Sequence, residues 1–300
     1  MSETASADTR IDRRSATVLV TTAGKVGAHA AGLLAAAGHA VRVIVRNPAA
    51  HPGLSAAGVE LVQGNLDQPD SIARAMVDVG SVVLVSPAVP AQEIAVIDAA
   101  RSAGAEHVTK VTSDAAPDSP IGRRRDHHRI EAALAASGIP HTLLRSNAYM
   151  QNLLVLAPGV AASSEFASST GDGRIGLVDA RDVAAVAAAI ASSPAGHDGR
   201  TYRLSGPDSL SYDDIAARLT AILGRTITHR RISTEEQEAA MIGMGLPAPV
   251  AHANAQALAL FAQGDSDWTS PDVERITGTP ATGFSAFAAE HSGRFTAADA

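Results

Sequence analysis

Apolar residues follow two different spacings along the first half of the chain. Short runs that are continuously apolar or alternate with a period near two predict strands, and segments with a period near 3.6 predict helices. Six strands are predicted in this way, over residues 17–20, 41–46, 59–62, 81–86, 107–112 and 140–145. Predicted helices separate the strands, for example over 91–103 and 126–137. This alternation predicts an α/β fold with a doubly wound parallel sheet.

The pattern changes after residue 146, where predicted strands become few and short. The predicted elements are a short helix over 149–156, a small-residue loop over 161–173, strands over 175–178 and 202–204, a buried helix over 182–192, two helices with capping boxes that begin near Ser211 and Ser233, and a helical segment over 247–263. We therefore predict a Rossmann-type domain over 16–146 and a smaller, mostly helical C-terminal substrate lobe over 147–291, interleaved with the sheet. Residues 1–15 and 292–300 are predicted to be disordered tails.

The turn after the first strand carries the first candidate chemistry. It reads T-x-x-G-x-x-G, and its glycines would let the backbone approach a pyrophosphate at the N-terminus of the next helix. A turn of this kind also occurs in α/β folds that bind no nucleotide. The candidate cofactor contacts in this turn are Thr21, Gly24, Lys25, Val26 and Gly27. Thr21 stands where the full fingerprint has its first glycine.

The end of the second predicted strand indicates which dinucleotide is preferred. No acidic residue occurs between Gly27 and Glu60, although an NAD-selective unit places a carboxylate near the end of this strand. Arg46 stands there instead, and a guanidinium can hold a phosphate through two parallel hydrogen bonds. The sequence therefore predicts NADPH as the cofactor, with NADH possible. The alternative is that Arg46 stacks on the adenine and tolerates either nucleotide.

Composition narrows the possible partners. The chain has 300 residues, 46% of them apolar and 3% aromatic, a net charge of −7 and no cysteine. The only basic run is 123–125, for which a solvated loop is the simpler interpretation, so no nucleic-acid contact is expected. No apolar run has the length of a membrane span or of a signal peptide, and we expect no membrane contact and a cytoplasmic location. The eleven histidines do not pair with carboxylates at ligand spacing, so no metal is expected. Asp179 and Asp182 are interpreted as a helix cap and a structural carboxylate.

Several local motifs together resemble one protein family. They lie at 23–27, 41–48, 64–67, 138–145 with Tyr149 and Asn152 after it, 178–182 and 202–207. The chain resembles the NmrA-like branch of the atypical short-chain dehydrogenases/reductases over residues 16–291. This branch includes NAD(P)H-dependent quinone and triphenylmethane-dye reductases and redox-sensing regulators. The resemblance adds four candidate cofactor contacts, namely Asn65, Leu66, Ser86 and Pro87.

The chain lacks the acid of the wider superfamily. That superfamily uses a Tyr-x-x-x-Lys pair to protonate a reduced carbonyl oxygen. The three tyrosines of this chain are followed, four positions later, by Leu153, Gly206 and Ala216. Hydride delivery to an electrophile that needs little acid help, such as a quinone, is therefore favoured over ordinary carbonyl reduction.

Three residues are candidates for catalysis. Lys110, which together with Lys25 makes up the two lysines of the chain, is predicted at the carboxyl end of a strand, where it could orient the nicotinamide ribose or a substrate oxygen. The alternative for both lysines is a plain surface charge. His127 could donate a proton because the histidine pKa lies near working pH, or it could simply be exposed at a helix start. Tyr149 is predicted to contact the substrate, and Asn152 to make a structural hydrogen bond.

Two classes of function remain open at this point. The first is an NADPH-dependent oxidoreductase acting on a flat, apolar, quinone-like or otherwise conjugated molecule. Met241, Met244, Phe261 and Trp268 could roof its pocket, although they could equally be core residues. The second is a non-catalytic regulator that binds NAD(P) and senses redox state, and a redox-neutral or reductive enzyme on a biosynthetic intermediate is a further alternative. Either would be a monomer or a homodimer.

Overall fold

The structure is a computed structural model that describes residues 16–296. Its strands are β1 (Thr17–Val20), β2 (Val41–Val45), β3 (Glu60–Gln63), β4 (Val79–Leu84), β5 (His107–Thr112), β6 (His141–Ser146), β7 (Glu165–Ser168), β8 (Arg174–Ile175), β9 (Thr201–Leu204), β10 (Leu210–Ser211) and β11 (Thr228–Arg231). Seven of them form one parallel sheet in the order β3-β2-β1-β4-β5-β6-β9. The order reverses between β1 and β4, and open sheets of this kind bind ligands in the crevice beyond the carboxyl ends of such strands.

Helices cover both faces of this sheet and build most of the C-terminal part. The α-helices are α1 (Gly27–Ala36), α2 (Pro52–Ala56), α3 (Pro69–Ala75), α4 (Pro90–Ala103), α5 (Gly122–Ala136), α6 (Ala157–Ser163), α7 (Ala180–Ser192), α8 (Tyr212–Leu223), α9 (Thr234–Gly243), α10 (Ala248–Ala262), α11 (Asp272–Thr277) and α12 (Phe284–Glu290). Short 3-10 helices occupy Pro48–Ala50, Met150–Leu156 and Ser292–Arg294. Among the helices between residues 16 and 296, none is long and apolar enough to cross a membrane.

The two sides of the sheet have separate apolar cores. Successive side chains of a strand point to opposite faces, so Val18 and Val20 pack with α1 and α7 while Leu19 packs with α3, α4 and α5. The Ala, Val and Ile residues of α7 are largely buried, as the sequence predicts for this helix. Small side chains let α7 lie close to both α1 and the sheet.

The predicted Rossmann-type fold is confirmed, and its parallel sheet contains one strand more than the six predicted for it. All six predicted strands are present, and most of their bounds differ by one or two residues. The seventh, β9, comes from the segment assigned to the C-terminal lobe and pairs with β6 through Leu144 and Tyr202. The lobe is therefore joined to the sheet by main-chain hydrogen bonds, since its own strand completes the sheet edge.

The predicted loop over 161–173 is wrong for its first half. Residues 157–163 are helical and Glu165–Ser168 is strand β7, with Ser164 between them in the left-handed region at φ 59°. β7 pairs with β11, which follows about sixty residues later, so its pairing partner is remote in sequence. A strand of only four residues, here Glu-Phe-Ala-Ser, carries little local signal without that partner.

A cluster of three polar side chains, of which only Asp213 is exposed, joins β7 to its surroundings. His229 lies with Nε2 2.9 Å from Ser168 Oγ and Nδ1 2.7 Å from Asp213 Oδ1, which is the hydrogen-bonding order of a hydrolase triad. Ser168 is only 1% exposed, and Phe166 stacks on the imidazole with ring centres 5.4 Å apart. The cluster therefore joins β7, β11 and α8, and its serine cannot meet a substrate.

The C-terminal boundary differs from the prediction. A third apolar cluster lies in the C-terminal part of the chain, between residues 150 and 295, and Phe295 is buried in it together with Phe284 and Phe287 of α12. The Arg225 guanidinium donates a hydrogen bond of 2.9 Å to the Phe295 carbonyl oxygen. Residues 292–296 are thus part of the fold and not of a tail. The predicted tail over 1–15, and residues 297–300, lie outside the described residues.

Two carboxylates at the start of α7 have the predicted structural roles. Asp179 caps the helix by accepting from the Arg181 main-chain N–H at 2.8 Å, and Asp182 accepts from the Thr282 N–H at 2.7 Å. Hydrogen bonds of the Arg181 guanidinium and main chain, together with one from Gln151, hold the pKa of Asp179 below its usual value although burial opposes the shift. Both predicted capping boxes are present, at the N-termini of α8 and α9.

Candidate active site

The turn after β1 lies at the point where the strand order reverses. Thr21 is buried, and its Oγ1 donates to the Val85 carbonyl oxygen at 2.8 Å and accepts from the Val85 N–H at 2.9 Å. The hydroxyl therefore extends the pairing between β1 and the segment after β4. A side chain engaged in this way leaves only the main chain of Thr21 for contact with a cofactor.

The two glycines of the turn have different reasons to be glycine. A Cβ atom at Gly27 would lie 1.9 Å from the Thr22 carbonyl oxygen, so no other residue fits there. At Gly24 a Cβ would meet nothing closer than the Thr22 hydroxyl at 3.8 Å, so the protein leaves this side of the turn open. The N–H groups of Lys25 and Val26 donate to no acceptor within residues 16–296. The turn therefore offers free donors and open space at the N-terminus of α1, as anion binding requires.

Lys25 also connects the turn to the segment after β6. Its Nζ donates to Asn152 Oδ1 at 3.3 Å, which is a structural hydrogen bond of the kind predicted for Asn152. Asn147, on the same segment, donates to the Ser266 carbonyl oxygen at 3.1 Å. These bonds hold the C-terminal part of the chain beside the predicted phosphate turn.

A second part of the site is an open cleft at the ends of β2 and β3. It has a volume of about 390 Å³ and is lined by Arg46, Gln63, Gly64, Asn65, Gln68, Ser71 and Arg74. Arg46 and Arg74 are exposed, and neither pairs with a carboxylate in the described part of the chain. Arg74 was not predicted from the sequence, because a single basic residue on a helix has no local signal that separates it from a surface charge.

The loop after β3 contributes mainly through its backbone. Asn65 Oδ1 accepts from the Asp67 N–H at 3.1 Å and so holds its own turn. The Leu66 side chain is buried in the core beneath α3 and α4. The prediction that Leu66 binds cofactor can therefore hold only for its main chain.

Lys110 is the largest correction to the predicted site. It lies inside β5 with no exposed surface, 2.6 Å from Glu93 Oε2 on α4, and its Nζ also donates to the Val111 carbonyl oxygen at 2.6 Å. The other Glu93 oxygen accepts from Ser86 Oγ at 2.6 Å. The alternative of a surface charge is wrong for Lys110, because the ammonium is enclosed by the protein. The predicted contact with the ribose or a substrate oxygen has no support here, since the Lys110 side chain has no exposed surface.

Burial and the ion pair act in opposite directions on Lys110. Burial lowers the Lys110 pKa from its usual value, and the Glu93 carboxylate opposes that shift through its charge and hydrogen bond. The pair fixes the Glu93 side chain, and Glu93 in turn holds the Ser86 hydroxyl in the loop after β4. Pro87, the next candidate, is exposed. Lys110 is thus a positioning residue for the loop that carries Ser86 and Pro87.

His127 is not the acid that the sequence suggests. It is buried on α5, and its Nδ1 has no hydrogen-bond partner among residues 16–296. Burial, followed by the charges of Lys110 and Arg123, lowers the pKa of His127 to about 3. The imidazole is therefore neutral at working pH, and the prediction of a proton donor with an ordinary histidine pKa is wrong.

Replacement of His127 with glutamine is expected to leave the pH dependence of turnover unchanged between about pH 5 and 8. A group whose pKa in the folded protein is about 3 loses its proton below this window, so its charge does not change within it. The measurement is kcat/KM against pH for wild type and the variant. If a rise or fall of the kcat/KM profile is lost or displaced along the pH axis in the variant, His127 takes part in proton transfer.

Tyr149 follows β6 and bridges to the segment before α7. Its hydroxyl lies 3.2 Å from Ser146 Oγ, and its main chain pairs with Val178. Burial raises the Tyr149 pKa, while the Ser146 hydrogen bond and the charge of Arg123 partly oppose the shift. The phenol therefore stays protonated at neutral pH and can donate a hydrogen bond.

Glu131 is a buried residue of this region that sequence reasoning missed. Its carboxylate accepts from Thr112 Oγ1 at 2.9 Å and from Arg145 Nη2 at 2.6 Å. It stands four residues after His127, on the same face of α5. The available signal was an acidic residue at core spacing in a helix, which is rare unless the charge is paired.

The basic run at 123–125 does not lie in a loop, as the sequence suggested, but in the first turn of α5. Arg124 forms a double hydrogen bond with Asp265, of which the Nη1–Oδ1 contact is 2.8 Å. Arg125 donates to the Ser119 carbonyl oxygen. Arg123 makes no hydrogen bond or ion pair within residues 16–296.

The residues predicted to roof a pocket have different surroundings. Trp268 lies under the Arg203 guanidinium, with 3.9 Å between the guanidinium carbon and the ring centre. Phe261 packs against the third apolar cluster, whereas Met244 is exposed. In the part of the chain from 16 to 296, no group of three or more histidines and carboxylates could hold a metal ion.

Known proteins share both the sequence and the fold of this chain. The sequence profile of the NmrA-like family matches residues 14–282. An NAD(P)H azoreductase of Xenophilus azovorans is 35% identical over 92% of this chain and 97% of that protein. A (4-alkanoyl-5-oxo-2,5-dihydrofuran-3-yl)methyl phosphate reductase of Streptomyces griseus is 36% identical over 93% of this chain and 99% of that protein.

Solved structures agree with the sequence comparison. The NADPH complex of the NADPH-dependent quinone oxidoreductase QOR2 from Escherichia coli superimposes with a TM-score of 0.83 at 30% identity. The match covers 92% of this chain and 99% of that one. The profile match, the full-length relatives and the shared seven-stranded fold lead to one assignment: the chain belongs to the NmrA-like family.

Proposed function

We propose that this protein is an NADPH-dependent oxidoreductase that transfers hydride to a quinone-like or other conjugated small molecule. The observation that carries the proposal is a pair of exposed arginines, Arg46 after β2 and Arg74 on α3, which line one cleft and have no carboxylate partner among residues 16–296. The cleft lies on the same sheet edge as the open glycine turn. NADPH has anionic groups for both places, a pyrophosphate for the glycine turn and a 2′-phosphate on its adenine ribose for the two arginines. Bound there, NADPH supplies the hydride.

We assign each cofactor contact to the atoms of a residue that remain available for binding. The N–H groups of Lys25 and Val26 face the pyrophosphate, and Gly24 allows its close approach. Arg46 and Arg74 hold the 2′-phosphate. Thr21, Asn65 and Leu66 contribute main-chain atoms, and Ser86 and Pro87 line the side nearer the nicotinamide.

The candidate site has no strong acid, and this limits which hydride acceptors it can reduce. His127 is neutral and the phenol of Tyr149 is protonated, so both can donate hydrogen bonds, but neither is a strong acid at neutral pH. A quinone gains a hydride and one proton on reduction, and its hydroquinone oxygens exchange protons readily with water. A site with hydrogen-bond donors and no Tyr-x-x-x-Lys pair therefore suits a conjugated acceptor better than an isolated ketone. The acceptors named for the relatives, an azo compound, an unsaturated furanone and a quinone, are all conjugated.

Replacement of Tyr149 with alanine is expected to raise the KM for a quinone at least about tenfold, or abolish turnover, because a substrate contact and a hydrogen-bond donor are lost. The Kd for NADPH should change less than about twofold, since Tyr149 lies away from the 2′-phosphate cleft. NADPH oxidation with a panel of quinones gives the first quantity, and fluorescence titration gives the second. The control is Tyr202→Phe. Tyr202 lies on β9 at the edge of the sheet, and this change removes a hydroxyl that is hydrogen-bonded to His197.

The outcomes separate the proposed enzyme from its rival. Equal losses of NADPH binding and turnover in Tyr149→Ala would make Tyr149 a structural residue. Tight NADPH binding by the wild type without oxidation across the panel would favour a non-catalytic redox sensor. The substrate shape that we propose is flat and apolar, and the proposed assembly is a monomer or a homodimer.

A further inference from the structure

Three consecutive arginines on one helix turn have unequal partners. Arg124 is fixed by the Asp265 carboxylate and Arg125 by the Ser119 carbonyl oxygen. Arg123 is exposed and has neither a carboxylate nor a carbonyl partner within the described residues. Two of these side chains therefore hold the protein together, and the third is free to bind another molecule.

The position of Arg123 is electrostatically unfavourable for the protein alone. It lies in the first turn of α5, where the helix dipole disfavours positive charge, and this turn contains no acidic residue. The costs for Arg124 and Arg125 are offset by their own partners. Arg123 has no such partner in residues 16–296, and an anion at this place would offset the cost.

Arg123 also shares a helix face with a buried group that lacks a partner. His127 follows four residues later, so the two side chains are neighbours on α5. The Nδ1 atom of His127 is buried without a hydrogen-bond partner in the described chain. A buried polar atom of this kind is uncommon and is usually satisfied by a ligand or by water.

The charge of Arg123 affects the pKa values of two side chains near the proposed acceptor site. The positive charge opposes the rise in the Tyr149 pKa and contributes to the low pKa of His127. Arg123 stands at the start of α5, which packs against β6, and Tyr149 follows β6 directly, whereas Arg123 is not among the residues that line the Arg46 cleft. Its separate position means that the cofactor phosphates do not account for it.

We propose that Arg123 binds an anionic substituent of the substrate, such as a sulfonate, a carboxylate or a phosphate, while the conjugated part lies against Tyr149. This inference rests on the proposed function, because it assigns a substrate class to the same site. Charge-assisted hydrogen bonds to one guanidinium are worth on the order of ten- to a hundredfold in affinity. The protein should therefore prefer acceptors that carry an anion a few ångströms from the reducible group.

The test compares two quinones that differ in one charge. With 1,4-naphthoquinone-2-sulfonate, Arg123→Gln should raise the KM about ten- to a hundredfold, whereas the KM for 1,4-naphthoquinone should change less than about twofold. Arg123→Lys should recover part of the loss. The matched control is Arg129→Gln, which removes a largely exposed arginine further along the same helix.

A binding measurement keeps the inference separate from turnover. The probe is 1-naphthalenesulfonate, titrated into the protein saturated with NADP⁺, and its Kd should weaken about ten- to a hundredfold in Arg123→Gln and remain unchanged in Arg129→Gln. Equal effects on the charged and neutral quinones, or an unchanged Kd for the probe, would overturn the role of Arg123. Absence of NADPH oxidation by the wild type with either quinone would instead overturn the proposed function, and the titration would still decide the anion site.

Discussion

Replacement of Lys110 with methionine is expected to lower the free energy of unfolding by about 3 to 5 kcal/mol. The change leaves the Glu93 carboxylate enclosed in the protein without its cation, 2.6 Å from where the ammonium was. Removing one partner of a buried ion pair costs this much because the remaining charge keeps its desolvation penalty. Urea unfolding followed by circular dichroism measures the difference. The Ser86 hydroxyl should also lose its fixed position, since Glu93 is then free to move.

A double variant distinguishes loss of the ion pair from loss of packing. Lys110→Met combined with Glu93→Leu removes both charges, so it should recover most of the lost stability. Lys25→Met is the matched control, because Lys25 is the other lysine of the chain and is exposed, and it should cost less than about 1 kcal/mol. A double variant less stable than Lys110→Met would show that shape, and not charge, dominates at this position.

The wild type is expected to bind NADPH about ten- to a hundredfold more tightly than NADH. Arg46 and Arg74 line one cleft, are unpaired in the described chain and can both reach a 2′-phosphate. Arg46→Ala should remove most of the preference by weakening NADPH and leaving NADH nearly unchanged. Arg74→Ala should have the same direction of effect. Titration of both nucleotides into the wild type and the two variants gives one NADPH-to-NADH affinity ratio for each of the three proteins.

A control and an alternative sharpen this selectivity test. Arg101→Ala removes an exposed arginine on α4, away from the cleft, and should leave both affinities unchanged. If Arg46 stacks on the adenine, its replacement would weaken NADH and NADPH equally. Equal affinities in the wild type, or a preference that persists in Arg46→Ala, would show that the 2′-phosphate is not bound at this cleft by Arg46.

The general features of the protein could be predicted because their signals are local. The change from a period near two to one near 3.6 located the first six strands, and capping boxes located the starts of α8 and α9. Gly27 is required by the turn geometry itself, and Arg46 lies in a stretch between Gly27 and Glu60 that contains no acidic residue. The predicted family and fold are confirmed, since their motifs lie within short segments.

Long-range partners explain the elements that were predicted wrongly. β7 gains its hydrogen bonds from β11, and Phe295 is held by α12 and Arg225, so neither segment contains its own signal. β9 reads as a strand from its sequence, but only the structure joins it to β6. In each case the partner is remote in sequence, so the spacing of apolar residues within the segment does not indicate it.

The sequence by itself determined the order of strands and helices, the glycine turn and the residue types available for chemistry, because periodicity and turn geometry act over a few residues. Only the tertiary structure decided the electrostatic state of the site. Burial against Glu93 turned Lys110 from a candidate ligand contact into a positioning residue, and burial beside two cations made His127 neutral. It also left Arg123 without a partner among residues 16–296, whereas Arg124 and Arg125 are hydrogen-bonded. The protonation state and the pairing of an ionisable side chain depend on all the groups around it, and those groups come from segments far apart in sequence.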